Sequence, residues 1–390
     1  MDNYIKRIIQ LPKTINNSVF VWGARKAGKS CWIKHEFPDA WVLDLLESDN
    51  FIQYSAQPWK LREQIDALGK NPPLIVIDEI QKVPILLDEV HWLIENRKVR
   101  FLLTGSSARK LRAVHANLLA GRAVRRELRP FCFAELGDFD LEKVFVSGLL
   151  PPHYLSNNPI ELIRSYVADY LNEEIVSFSA SENLAAFNAF LKHAGIMNGE
   201  LINYTAWGSD SGISAKVVRR YLEILENTLL GLRLQPWAKA KQRRLSSSEK
   251  FYLFDVGVAN YLSRRKPAAG TFEFGKSFEH LIFMELKAYQ AYRSPDLELF
   301  FWRTANAQEV DFIIEDKTLA IEVKSSANIT AKDIKGLSVL ADDGPIGKRI
   351  LVAREKLSRF VKDRHGTIEI LPWKEFLTKL WAGEYSALIG

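Results

Sequence analysis

Val19-Phe20-Val21-Trp22-Gly23-Ala24-Arg25-Lys26-Ala27-Gly28-Lys29-Ser30 is the stretch whose reading decides the fold. Four apolar residues of strand character run into the pattern G-x-x-x-x-G-K-S, and a helical segment follows. That order of strand, glycine-rich turn and helix is what a phosphate-binding loop requires. Glycines let the backbone wrap closely around an anion, and successive N–H groups then point inward at a helix N-terminus. Gly23, Ala24, Arg25, Lys26, Ala27, Gly28, Lys29 and Ser30 are therefore the candidate ATP-binding residues. Lys29 is expected to reach the β- and γ-phosphates, and Ser30 to ligate Mg²⁺.

The neighbouring segments extend this picture. Trp41-Val42-Leu43-Asp44, Leu74 to Asp78, and Phe101-Leu102-Leu103-Thr104 are further short apolar strands separated by helical patterns. Such alternation argues for a parallel sheet covered on both faces. The third of these strands ends in Asp78-Glu79. Asp78 stands where the Mg²⁺ shell needs a negative oxygen, and Glu79 where a base orients and deprotonates a water. Thr104 and Ser106 end the next strand, at the sheet edge where α/β folds bind ligands. They are candidates to hold that water or to sense the γ-phosphate.

With these three pieces the chain resembles the AAA+ ATPases. Leu118-Leu119-Ala120-Gly121-Arg122 and Pro130-Phe131-Cys132-Phe133-Ala134-Glu135 are similar to one prokaryotic subgroup, whose C-terminal domain is of the restriction-endonuclease-like type. The resemblance implies ATP and Mg²⁺ as cofactors and assembly into a homo-oligomeric ring, often a hexamer. It also implies an arginine reaching a neighbouring subunit's nucleotide site. Arg122 is the first candidate, followed by Arg125 and Arg126.

The middle of the chain reads as mostly helical. Helices are expected over Tyr166 to Phe178, Asn183 to Ala194 and Ala215 to Leu225, the last with Ser214 as N-cap and apolar positions on one face. Two helices joined by a glycine turn, the second bearing Lys216, Arg219 and Arg220, resemble a helix-turn-helix. Strands near Leu230–Leu234 and Lys250–Asp255 flank Lys239, Lys241, Arg243 and Arg244. That order looks like a winged helix with a basic wing, and these seven cations are the candidate DNA contacts.

In the C-terminal part, Glu279 sits on a helix that begins near Gly275. Glu309-Val310-Asp311 enters one strand, and Glu322-Val323-Lys324 ends the next. Strand alternation puts Glu322 and Lys324 on one face. The pattern resembles the PD-(D/E)xK nuclease core, with Glu279, Asp311, Glu322 and Lys324 as the nuclease-like site, in which carboxylates hold a metal and the lysine orients a water.

The whole chain bounds these readings. It has 390 residues, 47% hydrophobic and 26% charged, which excludes disorder and leaves room for two or three domains. The expected division is 1–130 for an AAA+ core, 131–266 for a helical linker and winged helix, and 267–390 for a nuclease-like α/β domain. Two cysteines build no disulfide framework, and seven histidines show no ligand spacing. No apolar run is long enough to span a membrane, and a cytoplasmic protein is expected. Net charge is +6, concentrated between Arg97 and Arg129 and between Arg233 and Lys250. The leading expectation is an ATPase that moves on or remodels DNA. The alternatives are a nucleotide-gated, metal-dependent endonuclease and a signalling or defence-type ATPase whose last domain binds a protein.

Overall fold

The computed structural model describes residues 4–11, 18–69, 71–106, 123–170, 183–237 and 248–386. The chain forms two compact units: Met1–Phe131 with Asn227–Leu229, and Cys132–Glu226 with Leu230–Gly390.

In the first unit, β1 (Ser18–Trp22), β2 (Trp41–Asp44), β3 (Ile75–Asp78), β4 (Phe101–Gly105) and β5 (Ala123–Glu127) form a sheet in the order β2-β3-β4-β1-β5. Every pairing is parallel. β3 and β4 are buried along their whole length, which is why they read as unbroken apolar runs. Ile75, Ile77, Phe101 and Leu103 pack with Leu61, Ile65, Val90 and Leu93 from the helices Lys60–Ala67 and Leu86–Arg97. Because all five strands run the same way, the residues after Trp22, Asp78 and Gly105 emerge at one edge.

The second unit begins with short helices and the longer helix Leu184–Ile196. Asn183 and Asn203 cap the helices that follow them, accepting from Ala186 N and Ala206 N. Helices Tyr204–Ser211 and Ala215–Asn227 are joined by Gly212-Ile213-Ser214, with Gly212 left-handed. The first of them also approaches that turn closely: a Cβ on Gly208 would lie 2.6 Å from the Ile213 carbonyl oxygen. Val218, Tyr221, Leu222 and Leu225 are buried on one face of the second helix, while Lys216, Arg219 and Arg220 are exposed. The expected helix from Tyr166 is a single π-helical turn over Tyr166–Tyr170, and the rest of that segment lies outside the described residues.

The sheet of this unit contains β6 (Glu200–Leu201), β7 (Gly231–Pro236), β8 (Lys250–Leu253), β9 (Leu299–Arg303), β10 (Glu309–Ile314), β11 (Leu319–Val323), β12 (Lys348–Ala353), β13 (Arg359–Asp363) and β14 (Gly366–Pro372). Their order is β13-β14-β12-β11-β10-β9-β7-β8-β6. β7 pairs with β9 in parallel, Gln235 opposite Phe300, so one backbone ladder crosses the division expected at 266/267. Two parts of the chain that read separately in sequence thus share one sheet, and hydrogen bonds between strands far apart in the chain are the reason.

Candidate functional site

The turn after β1 is shaped by close approach. Gly23 N donates to the Gly105 carbonyl at 3.2 Å, and a Cβ on Gly23 would stand 2.6 Å from the Leu128 carbonyl oxygen. No residue larger than glycine fits there without displacing backbone. Lys26 and Gly28 are left-handed, at φ 65° and 96°. Gly28 then caps the helix Lys29–Glu36 with no side-chain acceptor on the first turn, which leaves its N–H groups facing the loop. The underside of the loop is held by Arg7. This buried guanidinium donates to the Ala27 carbonyl at 2.7 Å and the Arg129 carbonyl at 2.5 Å, and lies over the Phe131 ring.

Lys29, only 5% exposed, folds back on that loop. Its Nζ donates to the carbonyls of Gly23 at 2.8 Å and Ala24 at 3.3 Å, and lies 3.6 Å from Glu79 Oε1. Burial lowers its pKa against the opposing pull of Glu79 and Asp78. Ser30 Oγ donates to Asp78 Oδ2 at 2.6 Å, and Thr104 Oγ1 donates to Asp78 Oδ1. Burial raises the Asp78 pKa, with the two hydroxyls working against it. Glu79 sits at φ 58°, an uncommon conformation for a side-chain-bearing residue. Its amide donates to Thr104 Oγ1 at 3.2 Å, and its Oε2 accepts from Ser106 Oγ at 3.2 Å and from Gln81 Nε2. Gln81 Nε2 also lies 3.1 Å from Ser106 Oγ. Lys29, Ser30, Asp78, Glu79, Thr104 and Ser106 therefore meet at one sheet edge. Arg7 and Gln81 are additions that sequence reasoning missed. Gln81 was signalled only by its place two residues after Glu79, and Arg7 by nothing local.

The other expected positions fall elsewhere. Arg122 lies outside the described residues, as do Lys239, Lys241, Arg243 and Arg244. Arg125 is exposed and Arg126 half-buried on β5, an edge strand. Arg219 lies over the Tyr204 ring, 4.7 Å from its centre. In the second unit, Glu279, Asp311 and Glu322 are all buried. Asp311 immediately precedes the Phe312–Ile321 pair and Glu322 follows it, so the two face across β10 and β11. Lys324 Nζ pairs with Glu322 Oε1, and Asp311 Oδ2 accepts from Val323 N at 2.8 Å. Here too sequence reasoning missed participants: Lys250 pairs with Glu279 at 3.1 Å and with Glu309, and Tyr252 donates to Glu279 at 2.6 Å.

Residues 16–137 match the family model described as an AAA domain. With the loop and acid pair just described, this makes the first unit a P-loop nucleotide-binding domain of the AAA ATPase class. Residues 138–269 and 274–376 match two models described as domains of unknown function, DUF8612 and DUF4143. A 264-residue stretch is 26% identical to an uncharacterized protein of Mycobacterium tuberculosis, covering 66% of this chain and 59% of that protein. The chain thus spans less than two thirds of that relative. An uncharacterized protein of Haemophilus influenzae is 22% identical over 407 aligned positions, 95% of this chain and 97% of that one. Among solved structures, the Aeropyrum pernix ORC1 protein in complex with DNA aligns at 11% identity over 64% of this chain and 86% of its own, with a TM-score of 0.27. A likeness that low carries no argument about this chain. No helix among the described residues is long and apolar enough to cross a membrane.

Proposed function

We propose that the chain hydrolyses ATP in the first unit and uses the cycle to act on DNA through the second. The observation that carries the ATP reading is the convergence of Lys29, Ser30, Asp78 and Glu79 at one edge. Ser30 Oγ and the buried Asp78 carboxylate, 2.6 Å apart, suit Mg²⁺, which would neutralise charge on the β- and γ-phosphates. Lys29 would leave its loop carbonyls for the phosphates. Glu79 would orient and deprotonate the water, with Ser106 and Gln81 fixing its carboxylate and Thr104 fixing both acids. Arg122 of a neighbouring copy, or failing it Arg125 or Arg126, would complete the site in a ring, hexameric by the AAA+ resemblance. Removal of the γ-phosphate would release the elements it had tied together.

The DNA reading is supported by element order. The helix Leu184–Ile196, β6, the two helices flanking Gly212, β7 and β8 follow one another as in a winged helix, and β8 lies between β6 and β7. Lys216, Arg219 and Arg220 are exposed on the second of those two helices, and Lys239, Lys241, Arg243 and Arg244 would form the wing. Binding that neutralises phosphates must weaken steeply with salt. Duplex affinity measured at about 50 and 200 mM salt should fall by at least about tenfold, and a Lys216/Arg219/Arg220 triple alanine variant should flatten that slope. An affinity indifferent to both changes would favour the signalling or defence reading, in which the last domain binds a protein.

A further inference from the structure

The PD-(D/E)xK resemblance implies a divalent cation on Glu279, Asp311 and Glu322. The residues present do not fit one. Among the described residues no three His, Cys, Asp or Glu side chains are grouped to hold a metal. One oxygen of each of these three acids is already engaged. Glu279 Oε1 accepts from Lys250 Nζ at 3.1 Å and from Tyr252 Oη at 2.6 Å, while its Oε2 lies 3.7 Å from Lys276 Nζ. Glu309 is shared by Lys250 and by Arg303, the latter at 2.6 Å. Glu322 Oε1 takes Lys324, and Asp311 Oδ2 takes a backbone N–H. A hard cation needs several oxygen lone pairs turned toward one point, which this pairing does not leave.

We propose that Lys250 is the resident cation of this cluster: its buried ammonium takes the place of a divalent metal, and the C-terminal module is a nuclease-shaped platform without metal-dependent cleavage. Lys250 is 1% exposed and enters from β8, a strand outside the β9–β11 run that carries the acids. It spans Glu279 on the helix Phe272–Tyr292 and Glu309 on β10, and lies 5.5 Å from the centre of the Phe301 ring. A buried ammonium keeps its charge only with such partners. Lys250, Lys276, Lys324 and Arg303 are all engaged here, with Glu200, Glu279, Glu309 and Glu322 as their partners. Glu322 Oε2 is buried without a hydrogen-bond partner, and one such oxygen is fewer than a hard cation requires.

The test titrates the full chain with Mn²⁺ alone, without nucleotide, in a background carrying Asp78→Asn to silence the first unit's metal position. Free Mn²⁺ is read by electron paramagnetic resonance. The Lys250-containing protein should show no binding that Glu279→Gln removes. Lys250→Met should gain one Mn²⁺ per chain, at least about tenfold tighter, and adding Glu279→Gln should abolish that gain. Glu279-dependent Mn²⁺ binding with Lys250 present overturns the proposal, as does a folded Lys250→Met protein with no gain. Should Lys250→Met fail to fold, the first comparison decides alone. Mn²⁺-dependent DNA nicking that vanishes in Glu322→Ala would overturn it as well. None of these outcomes touches ATP binding, so the two readings stand or fall separately.

Discussion

Two of the buried lysines, Lys29 and Lys250, stand among acids and differ in how fully they are answered. Lys29 has two backbone carbonyls and a glutamate at 3.6 Å, and burial leaves its pKa lowered. Lys250 has Glu279, Glu309 and the Tyr252 hydroxyl nearby, and although burial opposes it, Glu279 foremost holds its pKa well above the usual lysine value. An under-answered ammonium beside open helix N–H groups is a site prepared for an anion. A fully answered one is a structural tie. The same residue types make a binding site or a clamp according to which charges are left over.

Four substitutions would break or sharpen that contrast. Lys29→Ala should abolish ATP turnover in a phosphate-release assay while leaving the unfolding midpoint nearly unchanged; normal turnover would remove the site assignment. Lys250→Met should do the reverse, costing about 3–5 kcal/mol in denaturant unfolding because it strands Glu279 and Glu309 without their shared cation. Gln81→Ala should lower kcat about tenfold with KM unchanged in steady-state kinetics, since Gln81 touches Glu79 and Ser106 rather than the phosphate loop. The smallest effect concerns Glu285, on the same helix as Glu279. Lysines hold Glu279 at about 2 despite its burial, whereas Glu285 is pushed up to about 8 by burial, against the donors Trp381 Nε1 and Phe133 N. The folded state therefore holds a proton on Glu285 that the unfolded chain, with an ordinary carboxyl pKa near 4.5, releases. Stability from this group is complete below about pH 4.5 and declines as pH rises toward 8. The slope is at most about 1.4 kcal/mol per pH unit. Glu285→Gln should flatten it in unfolding curves taken across that range.

What was legible in the sequence follows from distance along the chain. The loop, the β3 acids and the strands of the first unit are local patterns of apolar runs and glycine spacing, and they stand where the pattern put them. Glu322 and Lys324 were likewise read correctly as sharing a face, because strand alternation is local. Lys250 was not legible. It closes the basic stretch that begins at Arg233 and reads with it as a solvent-facing surface, yet the fold turns it inward toward Glu279, a partner 29 residues away. Arg233 is turned to similar use, paired with Glu226 and Glu249. The joining of β7 to β9 was hidden for the same reason. A tally of like charges cannot show which of them face acids brought in from remote segments.

Arg7 ties the segment before β1 to the turn that follows it. Its guanidinium is the fastener between the tail, the Ala27 end of the turn and the Arg129 carbonyl. Shortening the protein past Ile8 would leave every motif residue in place and still slacken the cradle that holds them. Such a trimmed protein would be expected to fold, to look intact by its motifs, and to grip nucleotide poorly, a defect easily mistaken for a lesion at Lys29 itself.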